Sequence, residues 1–322
     1  MQAIKPLILM LCLCLVACTD PVVEQIAKQT PVTEQRIEQL GQALDSGKIR
    51  NAKLINDYAD RVLAVKPELA TLVAEFRKDA SRQGPMYQSL LDRYNTAVNQ
   101  PQMFANHQAL YDELINIYQA ADPVLYSDAL SDPLNVLADM SDGALPRVNS
   151  LSKEQTLMAN NAQDFGTGDQ LIGNPNYGQW QNDSSGSSFW VWYGQYALLR
   201  DLLGGNRVYY DRWGSNRGYS YYHDYGRSRY SSPSQLRKQT QIETRTRKSF
   251  ESRGQKFTSA YSKNRTGSSG LSRQSASAQT SSNKFRANNK KTSSFASKSK
   301  YASKASFRDS QKTTSRSFRR GK

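Results

Sequence analysis

"TEQRIEQLGQAL", residues 33–44, decides how the chain is read, because Ile37, Leu40 and Leu44 recur three and four apart with polar residues between them. That spacing puts three aliphatic side chains on one face of an α-helix and leaves the other face to solvent. Toward the C-terminus the period returns in Leu54, Tyr58 and Val62, in Leu69, Leu72, Val73 and Phe76, and in Leu90, Leu91, Tyr94 and Val98. It continues in Phe104, Tyr111, Leu114 and Tyr118 and closes in Leu134, Leu137 and Met140. Pro67, Pro123 and Pro133 each suit a first helical turn, where a missing N–H costs nothing, and Asp122 and Asp132 stand before the last two as N-caps. Residues 33–149 therefore predict a mainly α domain, a small bundle of five or six helices joined by brief breaks such as "DSGK" and "RQGP".

Upstream of that block, residues 1–17 read as a signal peptide: Lys5 gives a positive start and Leu7 to Ala17 form an apolar run. The run is too short to span a bilayer, which takes about 20 apolar residues. Cys12 and Cys14 fall inside it, so cleavage leaves one thiol, Cys18, and no internal disulfide. Leu15-Val16-Ala17-Cys18 resembles the lipobox of bacterial lipoproteins. The resemblance implies cleavage before Cys18, acylation of its thiol and new amino group, and a membrane anchor strengthened by about 0.8 kcal/mol per buried CH₂. Thr19, rather than an aspartate, follows directly; in that family this favours the outer membrane over inner-membrane retention, and the periplasmic face is the expected side, with the inner membrane and surface display as alternatives. Residues 18–32 are then expected to be a tether.

Downstream, residues 150–188 are rich in Gly, Asn, Asp and Ser and read as a polar linker. Residues 189–230 form an aromatic-rich capping segment in which Trp192, Tyr196, Leu199 and Leu203 share a helical face. Trp190, Trp192, Tyr193, Tyr196 and Trp213 admit three roles: a last core layer over the bundle, a contact with the membrane surface, or an aromatic platform for glycan. The first ranks highest, since each large ring gains by burying about 150–250 Å². From Ser231 onward there are 23 Lys+Arg against 3 Asp+Glu, whereas the preceding chain holds 20 and 25. Residues 231–322 are therefore expected to be a long disordered basic tail, too poor in aliphatic side chains to offset backbone entropy. As a flexible segment it would span roughly 50–60 Å. Phe250, Tyr261, Phe295, Tyr301, Phe307 and Phe318 interleave its cations. The polyanion-binding candidates are Arg245, Arg247, Lys248, Lys290, Lys291, Lys298, Lys300, Arg316, Arg319 and Arg320.

Reactive groups are few. His107 shares a predicted helix face with Phe104 and Tyr111 and is expected to be partly buried; His223 and Asp224, adjacent in an extended segment, would point apart. No histidine pair has zinc spacing, "DMSDG" lacks the earlier ligands of a calcium loop, and "WGSNRG" is not a nucleophile elbow. Asp139 and Asp142 could meet on one helix face but read as solvated helix-end carboxylates. No catalytic residue, cofactor or metal is assigned. "GNPNYGQW", "SSFWVWYGQY" and the Ser/Arg/aromatic tail resemble uncharacterised Gram-negative envelope lipoproteins, a resemblance that implies no activity. The expectation is a lipid-anchored, non-catalytic envelope adaptor whose tail binds lipopolysaccharide, phospholipid or peptidoglycan, with nucleic acid a partner only under surface display. A carboxylate-based cell-wall glycan hydrolase or binding module and a partner-protein scaffold stand as alternatives.

Overall fold

The computed structural model describes residues 20–262 and 271–292, and the fold is mainly α, with one two-stranded hairpin among those residues. Between residues 20 and 140 run α1 (Pro21–Asp45), α2 (Arg50–Val65), α3 (Ala70–Asp79), α4 (Pro85–Asn99), α5 (His107–Ala120), α6 (Pro123–Ala129) and α7 (Ser131–Met140). α1 packs along α5, and α2 against α3 and α7. Ile37, Leu40 and Leu44 are buried together with Ile55, Val62, Phe76, Leu114 and Leu137 in one core.

These elements exceed the five or six expected because the stretch after Asp122 breaks at Leu130 into α6 and α7. Asp122 is the N-cap of α6, accepting the Val124 and Leu125 N–H groups. Asp132 is not a cap; it sits inside α7 and is used elsewhere in the fold. Of the expected tether 18–32, residues 21–32 already belong to α1, which begins at Pro21, and residues 18 and 19 lie outside the described residues. Asp20 accepts the Val22 N–H at 3.0 Å, and Pro21 fills the first turn, the same device as Asp122-Pro123. Pro31 lies within α1, where it removes one helical donor.

The expected linker is also part of the fold. It contains α8 (Lys153–Asn160) and β1 (Gly178–Asn182), and Leu171, Ile172 and Tyr177 are buried. β1 pairs antiparallel with β2 (Ser188–Trp192), placing Trp180 opposite Trp190. The face that Trp192, Tyr196, Leu199 and Leu203 were expected to share on one helix is therefore divided: a strand ends at Trp192, a tight turn covers Gly194–Tyr196, and α9 spans Leu198–Leu202. Aromatic and β-branched "SFWVW" suits a pleated strand, and the fourfold spacing beyond it is coincidental. Gly173 is required where it stands: its φ is +82°, and a Cβ there would lie 2.8 Å from the Trp213 ring. Next follow α10 (Tyr210–Asn216), a π-helical turn at Tyr222–Gly226 and α11 (Arg227–Tyr230).

The basic segment does not leave the body at Ser231. It forms α12 (Pro233–Glu251) and α13 (Arg273–Thr292). A capping box starts α12, with Ser232 Oγ accepting the Gln235 N–H and Gln235 Oε1 accepting the Ser232 N–H, and Pro233 occupies the first turn. Phe250 and Tyr261 pack inward on a second core of Trp190, Tyr210, Trp213 and Phe257. α13 lies against α6. Local capping and a few polar seats thus outweigh the average composition on which disorder was expected, and the reach of a free 231–322 segment does not apply to residues 231–262 and 271–292. Residues 263–270 and 293–322, with Phe295, Tyr301, Phe307 and Phe318, lie outside the described residues, as does the disorder expected there.

Candidate functional site

The aromatic segment is core, so the platform role fails for most of its members. Trp190, Tyr196 and Trp213 are buried, and Trp192 and Tyr193 are half-buried. Trp180 meets Trp190 edge-on at 5.2 Å and Tyr210 at 5.0 Å, while Tyr196 stands between Tyr177 at 5.1 Å and Phe76 at 5.9 Å. One part of this segment therefore joins the helical core and the other packs on the C-terminal arm, the basic segment from Ser231 that carries α12 and α13. Polar ties fix it in place. Tyr177 donates its hydroxyl to Asp79 at 3.3 Å, and burial pushes that carboxyl well above its usual range. Asp132 accepts the Tyr221 N–H at 2.8 Å and both the Tyr222 N–H and the Ser220 hydroxyl at 2.9 Å; burial raises its pKa to about 7 despite those donors.

The histidines take separate structural positions. His223 is buried, with Nε2 2.7 Å from the Ile172 carbonyl and its ring against Trp213, while Asp224 bonds Arg217. They form no dyad, although the segment is a π-helical turn rather than extended. His107 is exposed instead of partly buried, because α5 begins at that residue; its Nδ1 lies 3.0 Å from the Asp20 carboxylate. Asp139 and Asp142 do not meet: Arg147 donates to the first at 2.8 Å and Lys66 to the second at 2.6 Å.

Of the ten cationic candidates, Arg245, Arg247 and Lys248 lie on α12. Its inner side carries Gln239, Ile242, Thr246 and Phe250, which leaves Arg237, Lys238, Arg245 and Lys248 exposed along the outer side. From Arg237 to Lys248 the row runs about 16 Å at the helical rise. Arg247 is exposed too, but Glu243 pairs with it at 2.7 Å. Among the described residues, the four row members stand in no ion pair. Arg237 and Lys238 join Arg245 and Lys248 only because the Ser232 cap starts the helix ahead of them. Lys290 and Lys291 fall within α13, whereas Cys18, Lys298, Lys300, Arg316, Arg319 and Arg320 lie outside the described residues.

Beside this row opens a cleft of about 790 Å³, bounded by α4, α5, the Pro101–Met103 turn and the first turn of α12. Its floor holds a buried ion pair, Arg93 and Glu113, 2.7 Å apart and 5% and 2% exposed. Arg93 also donates through Nη1 to the Arg229 carbonyl, which ties α4 to α11. Next to the pair, Asn116 is 9% exposed, and neither its Oδ1 nor Arg93 Nη2 has a hydrogen-bond partner. Arg237 and Arg286 stand on the arm side of the cleft, Asp92 and Asp112 on the body side; Met103, Phe104, Tyr193 and Leu236 add apolar wall. Burial and the neighbouring Arg229 lower the Arg286 pKa. Arg93, Asn116, Arg237 and Arg286 carry no local signature, since they come together only through the fold.

No tryptophan lines the cleft, so the acid-plus-tryptophan cluster that would favour a glycan hydrolase is not formed there. Among the described residues, no cluster of His, Cys, Asp and Glu could hold a metal ion, and no helix is long and apolar enough to cross a membrane. No protein-family model, curated protein or solved structure matches the chain.

Proposed function

We propose that the protein is a lipid-anchored, non-catalytic adaptor of the cell envelope, held at the periplasmic face of the outer membrane through acylated Cys18. Its cationic arm grips an anionic envelope polymer or surface: lipopolysaccharide, phospholipid or peptidoglycan. The exposed row of Arg237, Lys238, Arg245 and Lys248 carries this reading. Such a row attracts a dense array of phosphates or carboxylates far more than an isolated ion, because each cation adds to one field. α1 starts three residues after Cys18, so an acylated Cys18 holds the body against the surface rather than at the end of a long lead.

Two experiments test the two halves of the proposal. Cys18→Ser abolishes incorporation of radiolabelled fatty acid and releases the protein from the membrane fraction; persistent labelling of that variant contradicts the anchor. Protein beginning at Thr19 and ending at Thr292 co-sediments with outer-membrane or peptidoglycan fractions at low salt and dissociates as salt rises. Salt-independent pelleting, or none, contradicts the cationic grip.

A further inference from the structure

We propose that the cleft between α4, α5 and the first turn of α12 binds a short peptide bearing a free carboxylate. This goes beyond the polymer-binding row, with which the cleft shares Arg237 alone. Two groups at the cleft floor supply the first argument. Asn116 is nine-tenths buried, yet its Oδ1 accepts no hydrogen bond, and Arg93 Nη2 beside it donates none. A buried amide oxygen without a donor costs on the order of 1–3 kcal/mol. A side-chain amide offers a donor and an acceptor side by side, which a peptide unit matches with its own C=O and N–H. The spare Arg93 donor favours a carbonyl oxygen, since Glu113 already neutralises the guanidinium.

Charge supplies the second argument. Arg93 and Glu113 cancel as a pair on the floor, and the remaining charges, Arg237 and Arg286 on the arm side and Asp92 and Asp112 on the body side, sum to zero formal charge across the cleft. A dianionic phosphate gains little from such a lining. A peptide with a carboxylate toward Arg237 and Arg286 and an ammonium toward Asp92 and Asp112 matches both sides. The third argument is size: about 790 Å³ falls within the range of small-ligand clefts and accommodates several residues, with Phe104, Tyr193 and Leu236 to cover apolar side chains.

The test uses the chain from Thr19 to Lys322 and isothermal titration with two free-ended tetrapeptides. One is all-L Ala-Glu-Lys-Ala; the other is a cell-wall stem tetrapeptide with its γ-linked D-glutamate. Saturable binding of either, weakened at least tenfold by Arg237→Glu and by Asn116→Leu and weakened by C-terminal amidation of the peptide, is the expected result. The tighter arm tells whether wall fragments or protein-derived peptides are the source. Arg237 is exposed, so its variant reports on the cleft even if Asn116→Leu fails to fold. No binding of either peptide at millimolar concentration overturns the proposal; so does binding indifferent to both substitutions, or complete displacement by inorganic phosphate. Because the probe is a soluble monomeric peptide, failure here leaves polymer co-sedimentation by the row unaffected.

Discussion

The helical body and the C-terminal arm are both built of helices, yet they are held by opposite means. α1 is seated by Ile37, Leu40 and Leu44, aliphatic teeth that recur on the helical period. Among the described residues of α13, the buried side chains are Ser275, Gln279 and Ser282. Ser275 donates to Asp128 at 2.8 Å; Gln279 accepts from Arg229 and donates to Tyr221, both at 2.6 Å; and Gln119 donates to the Ser282 carbonyl at 3.0 Å. Phe285, tilted against Tyr118 at 5.6 Å, is the large apolar contact of α13, and it remains 37% exposed. Apolar burial stabilises by about 25 cal/mol per Å², whereas a typical internal hydrogen bond nets about 1 kcal/mol after its water partners are returned. The body is therefore the stable unit and the outer arm a weakly held one, with α12 and the Trp/Tyr segment between them.

That contrast can be broken at several points. The largest effect is expected in the body: Phe76→Ala empties a fully buried site and costs about 3–5 kcal/mol. Urea titration followed by circular dichroism reads it as one cooperative shift of the whole helical signal. A shift confined to part of the signal would mean that body and Trp/Tyr segment unfold apart.

Asp132→Asn comes next, at about 2–3 kcal/mol, because an amide nitrogen then faces a backbone N–H that a carboxylate oxygen now accepts. The same residue gives a pH dependence. Burial raises the folded pKa of Asp132 to about 7, above roughly 3.9 in the unfolded chain. Between those values the folded state holds a proton that the unfolded state has released. Stability thus falls as pH rises from about 4 to about 7 and levels off above it. Thermal melts of the wild-type protein at pH 5 and pH 8 show this slope, and Asp132→Asn reduces it; an unchanged slope assigns the titration to other groups.

A smaller and local effect is expected in the arm. Gln279→Ala removes two hydrogen bonds of α13, worth about 1–2 kcal/mol, and leaves the global unfolding midpoint nearly unchanged. Hydrogen exchange resolves the difference: amides of 273–292 exchange roughly tenfold faster while those of α1 and α2 keep their protection. If α13 amides in the unaltered protein were as slow as those of α2, the weak-arm contrast would be wrong.

How much of this was legible in the sequence follows from the same division. The stripes from Ile37 to Met140 announced the body because an aliphatic face leaves a period. The polar seats of α13 leave none, and serine and glutamine in a Lys/Arg-rich segment look the same packed or free. Two signals were present and outweighed. Asp20-Pro21 repeats the Asp122-Pro123 start, and Ser232-Pro233 with Gln235 is a capping box at the head of a segment whose composition argued against structure. The Trp192 to Leu203 spacing misled, since strand, turn and helix happened to place rings at helical intervals. The cleft had no signal at all. Residues 93, 116, 237 and 286 meet only when α12 and α13 fold back on α4 and α5.

The central claim, that the arm grips anionic envelope material through its outer row, is tested most directly with one variant that removes the row's four charges. Arg237→Gln, Lys238→Gln, Arg245→Gln and Lys248→Gln combined keep α12 capped and its inner face intact. Each basic side chain near an anionic surface contributes about 1 kcal/mol, so together the four substitutions are worth about 4 kcal/mol, close to a thousandfold in affinity. Co-sedimentation of protein from Thr19 to Thr292 with outer-membrane and peptidoglycan fractions, over a salt series, measures it. The account predicts steeply salt-dependent binding by the unaltered chain and its near loss in the variant, with unchanged circular dichroism. Equal binding by both proteins would contradict the row's role.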